Sequence, residues 1–281
     1  MDSSYRKYYF CNEEIKDSNS FSDEFLLSGK SLYEVFRVES GVPIFLENHM
    51  DRLVNSTKIM KLSLPYSIEK VKNQIYKLIK INKCEYGNIK IVFNFYQDNI
   101  NFYAYFLKHN YPDKLQYEKG VDTIFFHGER DMPNAKVINV SFRKSVDEKI
   151  NEANVYEAIL VDRNGNITEG SKSNIFIVKG KEVYTAPLKA VLPGITREII
   201  ISIIEDKGYK LMEKDVNFND IENMDGLFIS GTSPKVLPVR KVGNLEFSSA
   251  KNAVIQDIAA GYNDKITAQV SRAKSLPRVK L

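Results

Sequence analysis

Cysteine is almost missing from this 281-residue chain. Cys11 and Cys84 stand far apart, and the three histidines, His49, His109 and His127, are scattered. Such a pattern offers no disulfide framework and no metal-ligand spacing, so neither a cross-linked scaffold nor a structural zinc site is expected. Long apolar runs are missing too. No stretch of about eighteen apolar residues occurs, which argues against a helical membrane span. The opening Met-Asp-Ser-Ser-Tyr-Arg lacks the apolar core and small-residue cleavage site of a signal peptide, so a cytoplasmic location is expected. Charge of one sign is absent as well: 40 basic and 36 acidic side chains leave a net +4. A mixed surface of this kind does not track phosphates, and no nucleic-acid partner is expected. Neither a glycine-rich dinucleotide loop nor a Walker motif is found.

What is present is 43% hydrophobic residues, enough to bury one large core or two smaller ones. Ser31 to Val38 reads as a strand. From Glu47 to Lys61, Met50, Leu53, Val54, Thr57 and Met60 recur at spacings of three and four and predict a helix, with Arg52 off that stripe. A second helix is expected over Ile68 to Ile81, with Val71, Ile75, Leu78 and Ile79 on its inner face, before Gly87 and Asn88 interrupt the pattern. Ile89 to Phe95 and Phe102 to Leu107 read as antiparallel strands. Pro112, Asp113 and Lys114 mark a polar connection, which sets the expected domains as 1–112, a linker at 113–119, and 120–281. Beyond it, Val121 to Phe126 is strand-like, and Val140 to Ala153 is charged with weak helical periodicity. Glu157 to Asp162 and Asn166 to Thr168 flank Asn164-Gly165, a dipeptide suited to a type I′ hairpin turn. Asn174 to Val178, Glu182 to Thr185 and Gly226 to Ile229 are further strands, and Thr196 to Lys207 a helix closed by Gly208. Helices and strands in both halves, without regular βαβ alternation, make the fold class α+β.

Two stretches suggest chemistry. Leu192-Pro193-Gly194-Ile195-Thr196-Arg197 places a glycine and a hydroxyl at a helix entrance, an anion site in outline, although an ordinary threonine N-cap reads the same way. Ser230-Gly231-Thr232-Ser233 is small and hydroxylated at the end of an apolar strand, a composition also common in plain turns.

The order of several segments resembles the fold-type IV pyridoxal-phosphate enzymes, the class IV aminotransferase family. Its members include branched-chain aminotransferases, D-amino-acid aminotransferases and 4-amino-4-deoxychorismate lyases. The resemblance runs from about Ser31 to Val242. It is carried by Tyr156-Glu157-Ala158-Ile159-Leu160, Asn166-Ile167-Thr168-Glu169-Gly170-Ser171, Ser173-Asn174-Ile175-Phe176, Leu192 to Arg197, and Phe228-Ile229-Ser230-Gly231-Thr232 with Pro238-Val239. It implies a smaller N-terminal domain, a larger C-terminal one, and pyridoxal 5'-phosphate in the cleft between them. By resemblance, Glu169 faces the pyridine nitrogen, where an anion keeps that nitrogen protonated. Arg52 grips the cofactor phosphate together with Ile195, Thr196 and Thr232. Lys136, in Asn134-Ala135-Lys136-Val137-Ile138-Asn139, takes the position of the lysine that links to the cofactor and carries protons, with Lys144 and Lys149 as fallbacks in register.

Departures from the family pattern bear on substrate. Gly29-Lys30-Ser31-Leu32-Tyr33-Glu34 lacks the frequent Gly-Asp-Gly; its Tyr33 matches a pocket-lining side chain and equally suits a core aromatic. Asn94-Phe95-Tyr96 stands where D-amino-acid enzymes place a carboxylate-binding arginine. Lys90 replaces a pocket arginine of branched-chain enzymes, a cation without the bidentate fork. Ser233 lies beside the expected carboxylate site, and Pro234 removes one amide from it. The leading expectation is transfer of an amino group between an apolar or small L-amino acid and a 2-oxo acid. The same-family alternative is a 4-amino-4-deoxychorismate lyase; those from other classes are a non-catalytic binder of a phosphorylated metabolite and a basic interaction protein. Resemblance also implies a homodimer. His49 and His127 have no partners legible in sequence, and core or surface placement is expected for both.

Overall fold

The computed structural model describes residues 3–108, 111–130 and 133–275. His109 and Asn110, at the start of the polar connection, lie outside the described residues. Two compact units result. Among the described residues the first comprises 3–108, 135–140 and 266–275; the second comprises 111–130, 133–134 and 141–265. The chain thus returns to the first unit twice, once with the segment that carries Lys136.

The first unit is built on a six-stranded sheet. In chain order its elements are β1 (Tyr8–Cys11), β2 (Glu14–Asp17), β3 (Lys30–Glu39), β4 (Val42–Pro43), α1 (Leu46–Met60), α2 (Ile68–Ile81), β5 (Tyr86–Tyr96) and β6 (Asn99–Leu107). The sheet order is β2-β1-β6-β5-β3-β4, with every pairing antiparallel. Leu53 and Met50 of α1 and Val71, Ile75 and Leu78 of α2 pack with Leu32, Phe36, Ile89 and Phe93 into one core. Ser67 caps α2 through its hydroxyl, and the helix stops at Ile81 with Asn82 as C-cap. The helix thus has the bounds expected, and Gly87 and Asn88 lie beyond it, inside β5. On that strand Gly87 fits because a Cβ would come within 3.2 Å of the Phe106 ring. The β1–β2 hairpin is not legible in the sequence, being short and half-polar.

The second unit carries a sheet of nine strands. Its elements are α3 (Lys114–Lys119), β7 (Val121–His127), α4 (Val140–Ala153), β8 (Glu157–Val161), β9 (Ile167–Gly170), β10 (Asn174–Lys179), β11 (Glu182–Thr185), α5 (Ile195–Asp206), β12 (Lys210–Glu213), β13 (Gly226–Gly231), β14 (Lys235–Val242), β15 (Leu245–Glu246) and the start of α6 (Ala253–Ser275), whose residues from 266 on are counted in the first unit. Strand order is β12-β11-β10-β13-β14-β7-β8-β9, with β15 beside β14. Three pairings, β11–β12, β14–β7 and β7–β8, are parallel and the rest antiparallel. The expected linker is largely α3, started by a capping box in which Asp113 and Gln116 exchange side-chain bonds.

The Asn164-Gly165 turn differs from the type I′ reading. Only Gly165 has a positive φ, +80°. Asp162 sets the turn instead, its carboxylate accepting from the amides of Asn164 and Asn166 at 2.9 and 2.7 Å. The long α6 is not legible in the sequence, because its apolar spacing is interrupted by Gly261, Asn263 and Asp264. Among the described residues no helix is long and apolar enough to cross a membrane.

Candidate functional site

In the first unit the expected site residues gather where β3 runs beneath α1. Strand alternation turns Leu32, Glu34, Phe36 and Val38 toward the helices and Tyr33 toward the opposite face. Glu34 is therefore a carboxylate on an apolar face, with 0% exposure. A lone buried charge there would cost several kcal/mol. α1 answers it with two residues one turn apart. Arg52 Nε and Nη2 donate to the two Glu34 oxygens at 2.8 and 2.6 Å, and His49 Nδ1 lies 2.7 Å from Oε2. Burial pushes the Glu34 carboxyl up, but the charge and hydrogen bonds of Arg52 and the bond from His49 outweigh it and leave it at about 2. His49 is lowered from its ordinary value, chiefly by burial and against the pull of Glu34, so at neutral pH it is an uncharged ring donating from Nδ1.

Sequence spacing sets Arg52 off the buried stripe of α1. It is instead buried beside that stripe, and Glu34 is the physical reason. His49 likewise has a core position with a definite partner. The other unassigned histidine, His127, is exposed and stands edge-on to Phe218.

Lys136 approaches the same strand. Tyr33 N donates to Lys136 O and Ile138 N to Ser31 O, both at 3.2 Å, and Leu32 bridges Val137 antiparallel. The Lys136 amide lies 3.5 Å from Ser56 Oγ, one turn beyond Arg52 on α1. Its Nζ is 4.9 Å from the centroid of the Tyr33 ring, and Lys90 Nζ, from β5, is 5.0 Å from that ring. Lys136 also contributes to the lowering of His49. Lys136 and Lys90 thus come together on the Tyr33 ring, while Arg52 lies on the other face of β3, one helical turn from the Ser56 that meets the Lys136 amide. Lys144 and Lys149 belong to α4, in the other unit. Asn94 is buried, and its Nδ2 donates to Phe25 O, Ser28 O and Ser31 Oγ, each at 2.9 Å. It fastens the segment before β3.

In the second unit Glu169 sits in β9, all of whose residues are buried. Oε1 is 3.1 Å from Arg130 Nε, and Oε2 accepts the Leu192 amide at 3.2 Å. Arg130 also donates from Nη2 to Ser171 O at 2.8 Å. Sequence reasoning misses Arg130, which lies outside every motif. The only signal is that a buried acid calls for a cation.

Leu192 leads into α5. Gly194 is its N-cap and brings no side-chain cap, and the first helical bond runs from Glu198 N to Gly194 O. The amides of Ile195, Thr196 and Arg197 therefore precede the helical ladder, in the arrangement that holds phosphate oxygens elsewhere. A Cβ on Gly194 would meet Asn174 Oδ1 at 2.1 Å, while Asn174 Nδ2 holds Leu192 O at 3.0 Å. Across the sheet Asn174 pairs with Ser230. The Ser230 hydroxyl is buried and, among the described residues, has no hydrogen-bond partner. Thr232 and Ser233, half-buried, follow in the loop between β13 and β14. Thr196 Oγ1 lies 3.3 Å from the Tyr262 hydroxyl of α6. An uncapped helix start, an orphan buried hydroxyl and a buried, held carboxylate are a donor and acceptor set that fits a phosphorylated, ring-nitrogen cofactor. Among the described residues no group of three His, Cys, Asp or Glu side chains could hold a metal ion.

The family model for amino-transferase class IV matches residues 31–242. The chain belongs to the class IV aminotransferases. Relatives in this family include a D-alanine aminotransferase of Bacillus licheniformis, 28% identical over 87% of this chain and 90% of that protein. A branched-chain-amino-acid aminotransferase of Pseudomonas aeruginosa is 28% identical over 81% of this chain and 80% of its own length. In fold, this class IV aminotransferase is similar to the branched-chain amino acid aminotransferase of Escherichia coli, with a TM-score of 0.85 at 22% identity, covering 94% and 96% of the two chains. Another branched-chain amino acid aminotransferase, solved with pyridoxamine 5'-phosphate, has a TM-score of 0.84 at 20% identity, covering 95% and 96%. A Legionella pneumophila protein assigned provisionally as a 4-amino-4-deoxychorismate lyase has a TM-score of 0.77 at 20% identity, covering 88% and 95%.

Proposed function

We propose that this class IV aminotransferase uses pyridoxal 5'-phosphate to move an amino group between an apolar or small L-amino acid and a 2-oxo acid. The observation that carries the reading is Lys136: it is laid against β3 at Tyr33, turned onto that ring, and set one helical turn from Arg52 through Ser56. When bound, the cofactor supplies an aldehyde carbon for an amine and a protonated ring that draws electrons from the substrate α-carbon. Lys136 Nζ would accept a proton from the substrate α-carbon. Glu169, fixed by Arg130 and the Leu192 amide, would face the ring nitrogen and accept its hydrogen bond. Arg52, the amides of Ile195 and Thr196, and the Thr196 and Thr232 hydroxyls bind the phosphate.

Tyr33, Lys90 and Ser233 are assigned to the substrate. The L-amino acid assignment is supported by Asn94, whose amide is spent on the backbone near β3, with Phe95 and Tyr96 beside it and no arginine. Lys90, whose Nζ lies 5.0 Å from the Tyr33 ring centroid, is the cation assigned to a substrate carboxylate. A lyase acting on 4-amino-4-deoxychorismate is the second reading, favoured by the fold likeness to the Legionella protein. A homodimer belongs to the same proposal, and light scattering should give about twice the mass of the 32.2 kDa chain.

The test is a screen of amino donors and 2-oxo acid acceptors with protein reconstituted in pyridoxal 5'-phosphate. L-leucine or L-alanine should yield the corresponding oxo acid, and D-alanine should be the poorer donor. Preference for D-alanine would overturn the stereochemical assignment. Pyruvate and 4-aminobenzoate formed from aminodeoxychorismate without an acceptor would replace transamination by the lyase reading. Protein that takes up no cofactor would end both.

A further inference from the structure

Glu157 is buried at the start of β8, a strand whose other residues are apolar, and its Oε1 meets the turn that follows Glu169. It accepts from Lys172 N at 2.6 Å and from Ser173 Oγ at 3.0 Å. Gly170 makes room for these bonds, since a Cβ there would stand 2.6 Å from the same oxygen. Ser171 N already ties the turn to β8 through Ala158 O at 2.8 Å. A buried carboxyl is a costly addition to a turn anchored in that way, and its presence points to a task. The peptide between Ser171 and Lys172 shows which. A trans peptide is planar and sends its N–H and C=O in opposite directions. Here the N–H goes to Glu157 and the C=O to Arg130, whose Nη2 donates to Ser171 O at 2.8 Å. The same guanidinium places Nε 3.1 Å from Glu169 Oε1. One rigid plane thus stands between Glu157 and the arginine that meets Glu169. Turning that plane would withdraw the carbonyl from Nη2 and loosen the guanidinium.

We propose that Glu157 is a positioning residue for Glu169, acting through the 171–172 peptide and Arg130 to hold that carboxylate at the ring nitrogen of the cofactor. The inference rests on the assignment of Glu169 to that nitrogen made above. The role needs an acceptor oxygen and not a charge, because what the oxygen receives is an N–H and a hydroxyl. Burial pushes the Glu157 carboxyl up from its ordinary value, which an acceptor role tolerates. Polarisation works in the same direction: an acceptor on the N–H strengthens the carbonyl at the other end of the same peptide.

The experiment uses the full-length protein loaded with pyridoxal 5'-phosphate carrying ¹⁵N in its ring, whose resonance reports the proton on that nitrogen. Wild type should show the protonated form. Glu157→Gln, which keeps an acceptor oxygen at the same reach, should keep that resonance. Glu157→Leu, similar in bulk but without the oxygen, should move it toward the neutral form and lower kcat by about 10-fold with KM little changed. In an Arg130→Gln background the same change should add little, since the connection to Glu169 is already cut. A folded Glu157→Leu protein with the wild-type resonance and kcat, or equal losses in the two backgrounds, overturns the inference while leaving the cofactor assignment standing. A Glu157→Gln protein that behaves like Glu157→Leu overturns it as well. Should Glu157→Leu fail to fold, Glu157→Asp decides: its carboxylate stands one methylene short of the Lys172 amide, and an unchanged resonance there overturns the inference. A neutral ring nitrogen in wild type removes the role of Glu169 itself, and wild type that takes up no cofactor ends the reading beneath it.

Discussion

At the scale of single residues, the site is governed by which charges are buried and what answers them. Lys136 is the residue on which the proposed chemistry turns. Lys136→Ala should keep the fold, since its backbone bonds to Tyr33 remain, yet lower transamination by about 10²–10⁴-fold and prevent borohydride from fixing cofactor to the chain. Mass spectrometry of the reduced protein checks the second point, and label found on Lys144 or Lys149 would overturn the assignment. Arg130 offers a different test. Arg130→Gln removes the cation 3.1 Å from the buried Glu169 oxygen. A destabilisation of about 1–3 kcal/mol is expected in urea unfolding, together with weaker cofactor retention. The role of Glu169 is legible because its Thr-Glu-Gly-Ser setting is a motif. Arg130 is not, because a partner brought in from another strand end leaves no local pattern.

Among elements, α5 shows how a helix start is kept open by what it leaves out. Gly194 contributes no cap, and the space where its side chain would stand is filled by Asn174 Oδ1 at 2.1 Å. Asn174 is buried and tied to Leu192 O, so it has little room to yield. Gly194→Ala should therefore displace the helix entrance and weaken pyridoxal 5'-phosphate binding by about 10-fold, with pyridoxal less affected. Equal weakening of both ligands would mean general damage to the unit and not a phosphate contact. The helix itself is readable from its spacing and from Gly208, whose φ is +73° at the C-terminal end. Pattern fails where tertiary partners set the outcome: α6 has a broken apolar stripe, and the 164–165 turn takes its shape from Asp162 and not from the dipeptide.

For the whole molecule, buried titratable groups set how stability responds to pH. His49 has a folded pKa lowered from 6.5, and Glu34 is lowered from 4.5 to about 2. For both, the unfolded chain binds the more protons, so their contribution is present at higher pH and lost as pH falls, first below 6.5 and then from 4.5 toward 2. Glu157 has the opposite sign. Burial raises it, against the hydrogen bonds from Lys172 N and Ser173, so its contribution is greatest below 4.5 and declines as pH rises. Urea unfolding at pH 7.5 and 5.5 should show a loss on acidification. The slope from His49 is at most about 1.4 kcal/mol per pH unit, and His49→Gln should remove that part. An unchanged slope in that variant would sink the assignment of the loss to His49.

The sequence by itself determined the family, the α+β class, most strand and helix positions, and the residue types that suit a phosphorylated cofactor. These follow from local spacing, from turn residues and from ordered motifs, all of which survive in one dimension. The tertiary structure alone decided that the Lys136 segment returns to the first unit against β3, that Arg52 is buried on Glu34, and that Arg130 answers Glu169. Each joins residues far apart in the chain, and a buried charge becomes tolerable only when its partner arrives from elsewhere in the fold.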